Sequence, residues 1–449
     1  MEILVMAGQL VLGLSLLVGL HEFGHFAFAK LFKIKVTKFY IFFDFLFPLP
    51  NVLNFSLLKK KIGETEYGIG WFPLGGYVAI HGMVDETQDA DALAGPPQPD
   101  EFRSKPAWQR LLVMLGGIIM NIITGVAIFT ALTFVYGEKF LPAKEAKYGI
   151  VTSKLGRQIG LRNGDKIVKI NGRPFEEFSD VHSPDVILGS HTFYTVERNG
   201  QLLDVNIPAD FMDRMASQPD SAFVDVRWPF AVKSVKSGTA ADRAGLKAQD
   251  EIVAVGTILT PFFDRLQAAL RLNAGKQTTL TVRRAGQQLT LPVAVDKDGT
   301  IGFMPEDKLN YDSRYYSLPG SIPRGTDKAF GIIGAQAKAV GKIITGHASF
   351  AKSVGGPADI AEQYGPRWDW PHFWFMTGAL SMVLAFMNLL PIPALDGGHV
   401  VFLLYEMILR RKPSDAFLEN AQRVGTFLIL SLMLFVIVVK PILGKLGLL

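Results

Sequence analysis

The sequence contains no cysteine. Disulfides are therefore excluded, and so are thiolate metal ligands, so any zinc site must be built from histidine, aspartate or glutamate. Charge is sparse as well: 19% of the 449 residues are charged against 49% hydrophobic. The formal net charge of +5 is largely accounted for by basic clusters beside apolar stretches, and nothing in it asks for a nucleic-acid partner. The N-terminal apolar stretch lacks a basic lead and a small-residue cleavage site, so it is read as a retained span rather than a signal peptide.

What is abundant is apolar sequence, and it is segregated. Four stretches are long enough to cross a bilayer: about Ile3 to Ala29, Leu111 to Tyr136, Phe373 to Leu390 with a continuation to Leu409, and Val424 to Leu443. Lys30, Lys33, Lys35 and Lys38 follow the first, Arg103, Lys105 and Arg110 precede the second, and Arg410, Arg411 and Lys412 follow the third. Basic loops stay on the cytoplasmic side. Both termini and the long polar region between the second and third spans then lie on the opposite face, the periplasm of a Gram-negative host.

His21-Glu22-Phe23-Gly24-His25 lies near the inner end of the first span. Residues four apart share a helix face, so His21 and His25 can offer imidazole nitrogens to one metal ion while Glu22 lies beside it as a base. An ionisable residue deep in a bilayer costs about 2.5–3.5 kcal/mol on insertion scales, so three polar side chains on one turn imply a function. The third hydrophobic stretch is broken by Asn388-Leu389-Leu390-Pro391-Ile392-Pro393-Ala394-Leu395-Asp396-Gly397-Gly398. Broken helix is tolerated at that depth only where it lines an enclosed or wet cavity. Asp396 is thus the best candidate for a third ligand, the alternative being a cap for the helix that follows.

These two motifs together resemble the site-2 protease family of intramembrane zinc metalloproteases, and the arrangement of spans resembles its RseP-type (regulator of sigma-E protease) members. The resemblance covers nearly the whole chain. It implies zinc (Zn2+) held by His21, His25 and Asp396, with Glu22 as catalytic base, and Asn388 helping to hold the substrate backbone, along with Pro391 and Pro393 of the same motif. It also implies hydrolysis within the membrane segments of single-span proteins already shortened on the periplasmic side, an anti-sigma factor among them, and of signal-peptide remnants. The expected fold is a polytopic α-helical membrane protein of the bacterial inner membrane, with about four transmembrane helices, a membrane-associated β element and two tandem PDZ-like domains. The corresponding boundaries are 1–31, 107–137, 371–410 and 423–449 for the spans, 32–106 for the β region, 138–220 and 221–300 for the PDZ-like domains, 301–370 for a linker and 411–422 for a cytoplasmic loop.

Glu66 to Ile80 reads as two short strands around a Pro/Gly turn, and the family has a membrane-associated β element with a similar Pro-Leu-Gly-Gly-Tyr run. Gly76 and Tyr77 there are candidates for substrate contact, because an unwound substrate helix needs new backbone partners and a strand edge supplies them. A hairpin that only packs against the helices is the alternative. The PDZ resemblance rests on a repeat: Gly160-Leu161-Arg162-Asn163-Gly164-Asp165 matches Gly245-Leu246-Lys247-Ala248-Gln249-Asp250, and Thr195 to Gly200 matches Thr281 to Gly286. Such domains either capture extended chains or exclude bulky ones. Ile333, Ala337, Val340 and Ile344 oppose Lys338 and Lys342 on a segment that lies either on the outer membrane surface or against the soluble domains. The tract Ser353 to Ala358 precedes the third span, and Asn121, near Gly116, Gly117 and Gly125, reads as a packing residue. Two other readings stand beside the protease: a scaffold with a vestigial metal motif, and a metal transporter.

Overall fold

The computed structural model describes residues 2–46, 53–73, 75–83, 96–183, 186, 192–208, 211, 214, 223–345, 350, 354–440 and 442. Leu74 of the Pro/Gly turn, Ser353, the end of the fourth span at Leu443 and the side chain of Lys342 lie outside them. The chain divides into two compact units, one of 1–137 with 315–449 and one of 138–314.

In the first unit, α1 (Glu2–Leu31) is an uninterrupted helix without proline. It leads into a four-stranded sheet of β1 (Val36–Ile41), β2 (Ser56–Ile62), β3 (Thr65–Gly70) and β4 (Tyr77–Ile80), in the order β2-β3-β1-β4. The two strands expected around the Pro/Gly turn are β3 and β4, and they do not pair with each other. β1 lies between them, parallel to β3 and antiparallel to β4, so β4 forms an end of the sheet. The longer Gly70 to Gly76 connection permits this crossing, which a tight hairpin would not.

α2 (Ala107–Tyr136) follows as the central helix of this unit. It meets α1 where Gly24 faces Gly116; a Cβ on either would fall on the other's backbone carbonyl, so the glycines set the close approach. After the second unit come α6 (Leu318–Ile344), α7 (Pro357–Tyr364), α8 (Trp370–Leu389), α9 (Asp396–Leu409) and α10 (Asp415–Leu434), the last running on through a π-turn to Val439. α6 holds the expected apolar stretch from Ile333 to Ile344 in its second half, and its first half packs within the helices of this unit. Its small-residue face packs on α2 and α8, with Gly325 against Thr130 and Ala329 buried among Phe129 and Met382. Among the described residues four helices are long and apolar enough to cross a membrane, Glu2–Leu31, Ala107–Tyr136, Trp370–Leu389 and Asn420–Val439. Their outward faces carry exposed Leu4, Ile123, Phe375 and Phe427, as helices bathed in lipid require.

The second unit comprises two halves. The first holds β5 (Glu138–Phe140), β6 (Ile150–Thr152), α3 (Lys154–Gln158), β7 (Lys166–Ile170), β8 (Phe193–Arg198), β9 (Gln201–Asn206) and β10 (Val224–Val226). The second holds β11 (Phe230–Val235), α4 (Ala240–Arg243), β12 (Glu251–Val255), β13 (Ile258–Leu259), α5 (Phe263–Leu272), β14 (Gln277–Arg284), β15 (Gln287–Ala294) and β16 (Phe303–Asp307). Each has its own apolar core, around Tyr194 and Phe223 in one and Leu266 and Leu280 in the other. β10 pairs back with β6, so the changeover falls near Arg227, a few residues beyond the expected 220/221 division. β16 pairs with β11, and β17 (Asp312–Arg314) with β5, which carries the unit past residue 300.

The repeat in sequence is a repeat in chemistry. Arg198 grips Asp165 at 2.8 and 2.7 Å and donates to the Gly160 carbonyl at 2.7 Å. Arg284 grips Asp250 at 2.7 Å on both oxygens and donates to the Gly245 carbonyl at 2.8 Å. The backbone N–H groups of Arg162 and Lys247 complete the two carboxylates at 2.8 Å. Burial alone would raise the pKa of Asp250; the Arg284 guanidinium and the Lys247 amide outweigh it and hold the carboxyl below its usual range.

Candidate metal centre

The break after α8 follows from its prolines. Pro391 has no N–H to continue the helix and holds Leu390 extended, at φ −62° and ψ 143°. The chain then folds back tightly: a Cβ on Gly397 would meet the Leu390 carbonyl, and one on Gly398 the Ile392 carbonyl. Ala394 sits in the left-handed region at φ +81°, and its N–H is held by Gln422 Oε1 of α10 at 3.1 Å. Such strain persists where surrounding contacts enforce it. The N-cap of α9 is Leu395, so Asp396 occupies the first turn and is not the cap.

This fold brings Asp396 to the α1 histidines. Asp396 Oδ2 stands 3.3 Å from His21 Nε2 and 3.4 Å from His25 Nε2, and the two nitrogens are 3.3 Å apart. Ligand atoms about 2.0–2.1 Å from a tetrahedral zinc stand roughly 3.3–3.4 Å from one another. The three atoms therefore form one face of a tetrahedron of the right size. Asp396 Oδ2 is buried without a hydrogen-bond partner, as expected of an oxygen placed for a metal. Among the described residues this is the one cluster of three such side chains within ligand distance.

α2 forms the floor of the site. His25 Nδ1–H donates to the Val113 carbonyl at 2.8 Å, which fixes the tautomer and turns Nε2 toward Asp396. Gly117 lies directly beneath both rings, and any Cβ there would overlap them. Arg110 and Glu406, at 2.5 Å and both largely shielded, tie the first turn of α2 to α9, the helix that carries Asp396.

A cavity of about 200 Å³ opens on the cluster. His21, Glu22, His25 and Asp396 line it, with Gly76, Tyr77, Val78 and Ile80 along the β4 side. Asn388 lies at its margin, with Nδ2 3.5 Å from His21 Nε2. Pro391 and Pro393 do not line it; they shape the loop behind, where Gly425 of α10 gives the Pro393 carbonyl room. His399, Gln422 and Met114 also line it and were not anticipated. His399 had a signal, since it is three residues past Asp396 on the same helix face, whereas Gln422 is brought in by the α10 packing alone.

The residues from 9 to 432 match the family model described as "Peptidase family M50". The chain is 27% identical over 455 residues to a protein of Treponema pallidum named "Putative zinc metalloprotease", covering 94% of this chain and 95% of that one. It is 26% identical over 451 residues, covering 94% and 95%, to the protein of Salmonella typhimurium named "Regulator of sigma-E protease RseP".

Proposed function

The chain belongs to peptidase family M50, the site-2 proteases, and is an intramembrane zinc metalloprotease; from this we propose that it cuts single-span proteins inside their transmembrane segments, after trimming on the periplasmic side. The name of the Salmonella relative ties that protein to sigma-E regulation; for this chain an anti-sigma factor is the substrate we favour, with signal-peptide remnants as a second class. The observation that carries the reading is the tetrahedral face of His21, His25 and Asp396 beside Glu22, on helices long enough to span a bilayer.

In this reading His21, His25 and Asp396 hold the zinc. When bound, the metal polarises the scissile carbonyl and makes a water acidic enough to attack near neutral pH. Glu22 would take a proton from the attacking water and deliver it to the departing amine. Asn388 donates its amide to the substrate backbone. The peptide bond of a helix is shielded by its own hydrogen bonds, so the substrate must unwind, and the open side of β4 at Gly76 and Tyr77 offers an edge for the released strand. Pro391 and Pro393 act indirectly, by forming the loop that presents Asp396.

The two halves of the second unit are read as tandem PDZ domains on the outer face, with both termini on the same side. A helix starting at that face reaches His21 after about 27 Å of a roughly 30 Å hydrocarbon core, so cutting falls nearer the cytoplasmic side. Purified protein should cleave trimmed single-span substrates, chelator should abolish cleavage, and mass mapping should place the cut in the cytoplasmic half of the segment. Chelator-resistant cleavage would overturn the metal assignment, and cuts confined to the periplasmic half would overturn the orientation.

A further inference from the structure

Asn121 is fully buried in the middle of α2, one turn beyond Gly117, and its side-chain amide lies 3.2 Å from His21 Nδ1. Its Oδ1 is buried with no partner. With the amide nitrogen against Nδ1, the ring would have to accept there, which places the imidazole proton on Nε2, aimed at His25 and Asp396. That tautomer has no lone pair on Nε2 with which to ligate a cation. Amide oxygen and nitrogen are distinguished by their hydrogen bonds rather than by shape, so the bonding decides their assignment.

We propose that Asn121 is a positioning residue for His21, its Oδ1 accepting the Nδ1–H so that the Nε2 lone pair faces the metal. The exchange of oxygen and nitrogen gives the orphaned oxygen a donor and leaves Nε2 free to bind. It also makes the two histidines alike. His25 Nδ1 already rests on an α2 carbonyl, that of Val113, at 2.8 Å, and His21 Nδ1 then rests on an α2 side-chain carbonyl. α2 thereby sets both tautomers, and both Nε2 atoms converge on Asp396. Asn121 is itself pinned, because Ser381 Oγ of α8 donates to its backbone carbonyl at 2.8 Å.

The inference rests on His21 being a ligand, and the test separates the two. Zinc affinity of the full-length protein in detergent is measured by chelator competition, and the visible spectrum is recorded after cobalt substitution, for wild type, His21→Ala, Asn121→Leu and Asn121→Asp. Asn121→Leu removes the acceptor and should weaken zinc about 10- to 100-fold, the usual loss when a group behind a ligand is removed. Asn121→Asp retains an acceptor oxygen and should bind zinc at least as well as wild type, with the wild-type cobalt spectrum. Unchanged affinity in folded Asn121→Leu would overturn the proposal, as would Asn121→Asp binding as poorly as Asn121→Leu. If Asn121→Leu does not fold, Asn121→Asp decides alone: retained zinc affinity supports the acceptor role and a tenfold loss refutes it. Unchanged affinity in His21→Ala would instead remove the ligand assignment beneath it.

Discussion

Gly117→Ala tests whether the floor of the site is as tight as the geometry says. A Cβ at this position would stand 2.5 Å from His25 Nε2 and 2.6 Å from His21 Nδ1, where ordinary contact begins at 3.4 Å. The nearest atom of all, His21 Cε1, would be at 2.4 Å, so each ring must retreat by about 0.9–1.0 Å, or α1 and α2 must part by a similar amount. The helices cannot part easily, because Gly24 and Gly116 already bring their backbones together one residue away. Zinc bonds tolerate deviations of about 0.2 Å, so a displacement more than four times larger removes at least one good ligand. We expect zinc affinity to fall by about 100-fold or more, equivalent to about 2.8 kcal/mol at 1.4 kcal/mol per decade. Chelator competition gives the affinity, metal analysis the stoichiometry, and thermal unfolding checks the fold. Gly8→Ala on α1 is the control, since a Cβ there meets nothing within 4 Å. Wild-type zinc affinity in folded Gly117→Ala would refute the packing argument.

Glu22→Gln should retain bound zinc while cleavage falls by about 10²–10⁴-fold, the usual contribution of a positioned base; metal content and product are measured on one sample, and normal turnover would exclude Glu22 as the base. Asp250 contributes to stability through a depressed pKa, so that contribution is complete above the unfolded value near 3.9 and is lost as pH falls through its lower folded value. Arg284→Met, which strands the buried carboxylate, should cost about 3 kcal/mol at pH 7, and the deficit should narrow on acidification as Asp250 protonates. A deficit that stays constant from pH 7 to well below the unfolded value of about 3.9 would contradict this. Deleting residues 138–314 behind a short linker should permit cleavage of an untrimmed substrate while trimmed substrate is still cut; slower cleavage of both would show delivery in place of exclusion.

Much of this protein is legible locally. The spans are readable because lipid demands about 20 apolar residues in a row, and His21, Glu22 and His25 because helical spacing puts both imidazoles on one face. The repeat in the second unit is likewise readable, since Asp165 with Arg198 and Asp250 with Arg284 recur at nearly constant offset. Asp396 is pointed to by its broken helix, and the alternative that local reasoning leaves, a capping role, falls because Leu395 is the cap.

The sequence by itself determined which segments are long and apolar enough to cross a membrane, where the backbone must break and which side chains can bind a metal, because these depend on composition, proline geometry and helical period. Tertiary structure alone decided that β1 separates β3 and β4, leaving β4 at the edge of the cavity. It also decided that Gly117 lies under both histidine rings, that Asn121 reaches His21, and that Gln422 clamps the Ala394 turn. Those relations join residues from 28 to 100 positions apart. They follow from which helix faces meet, a sum over the whole fold that no local pattern contains.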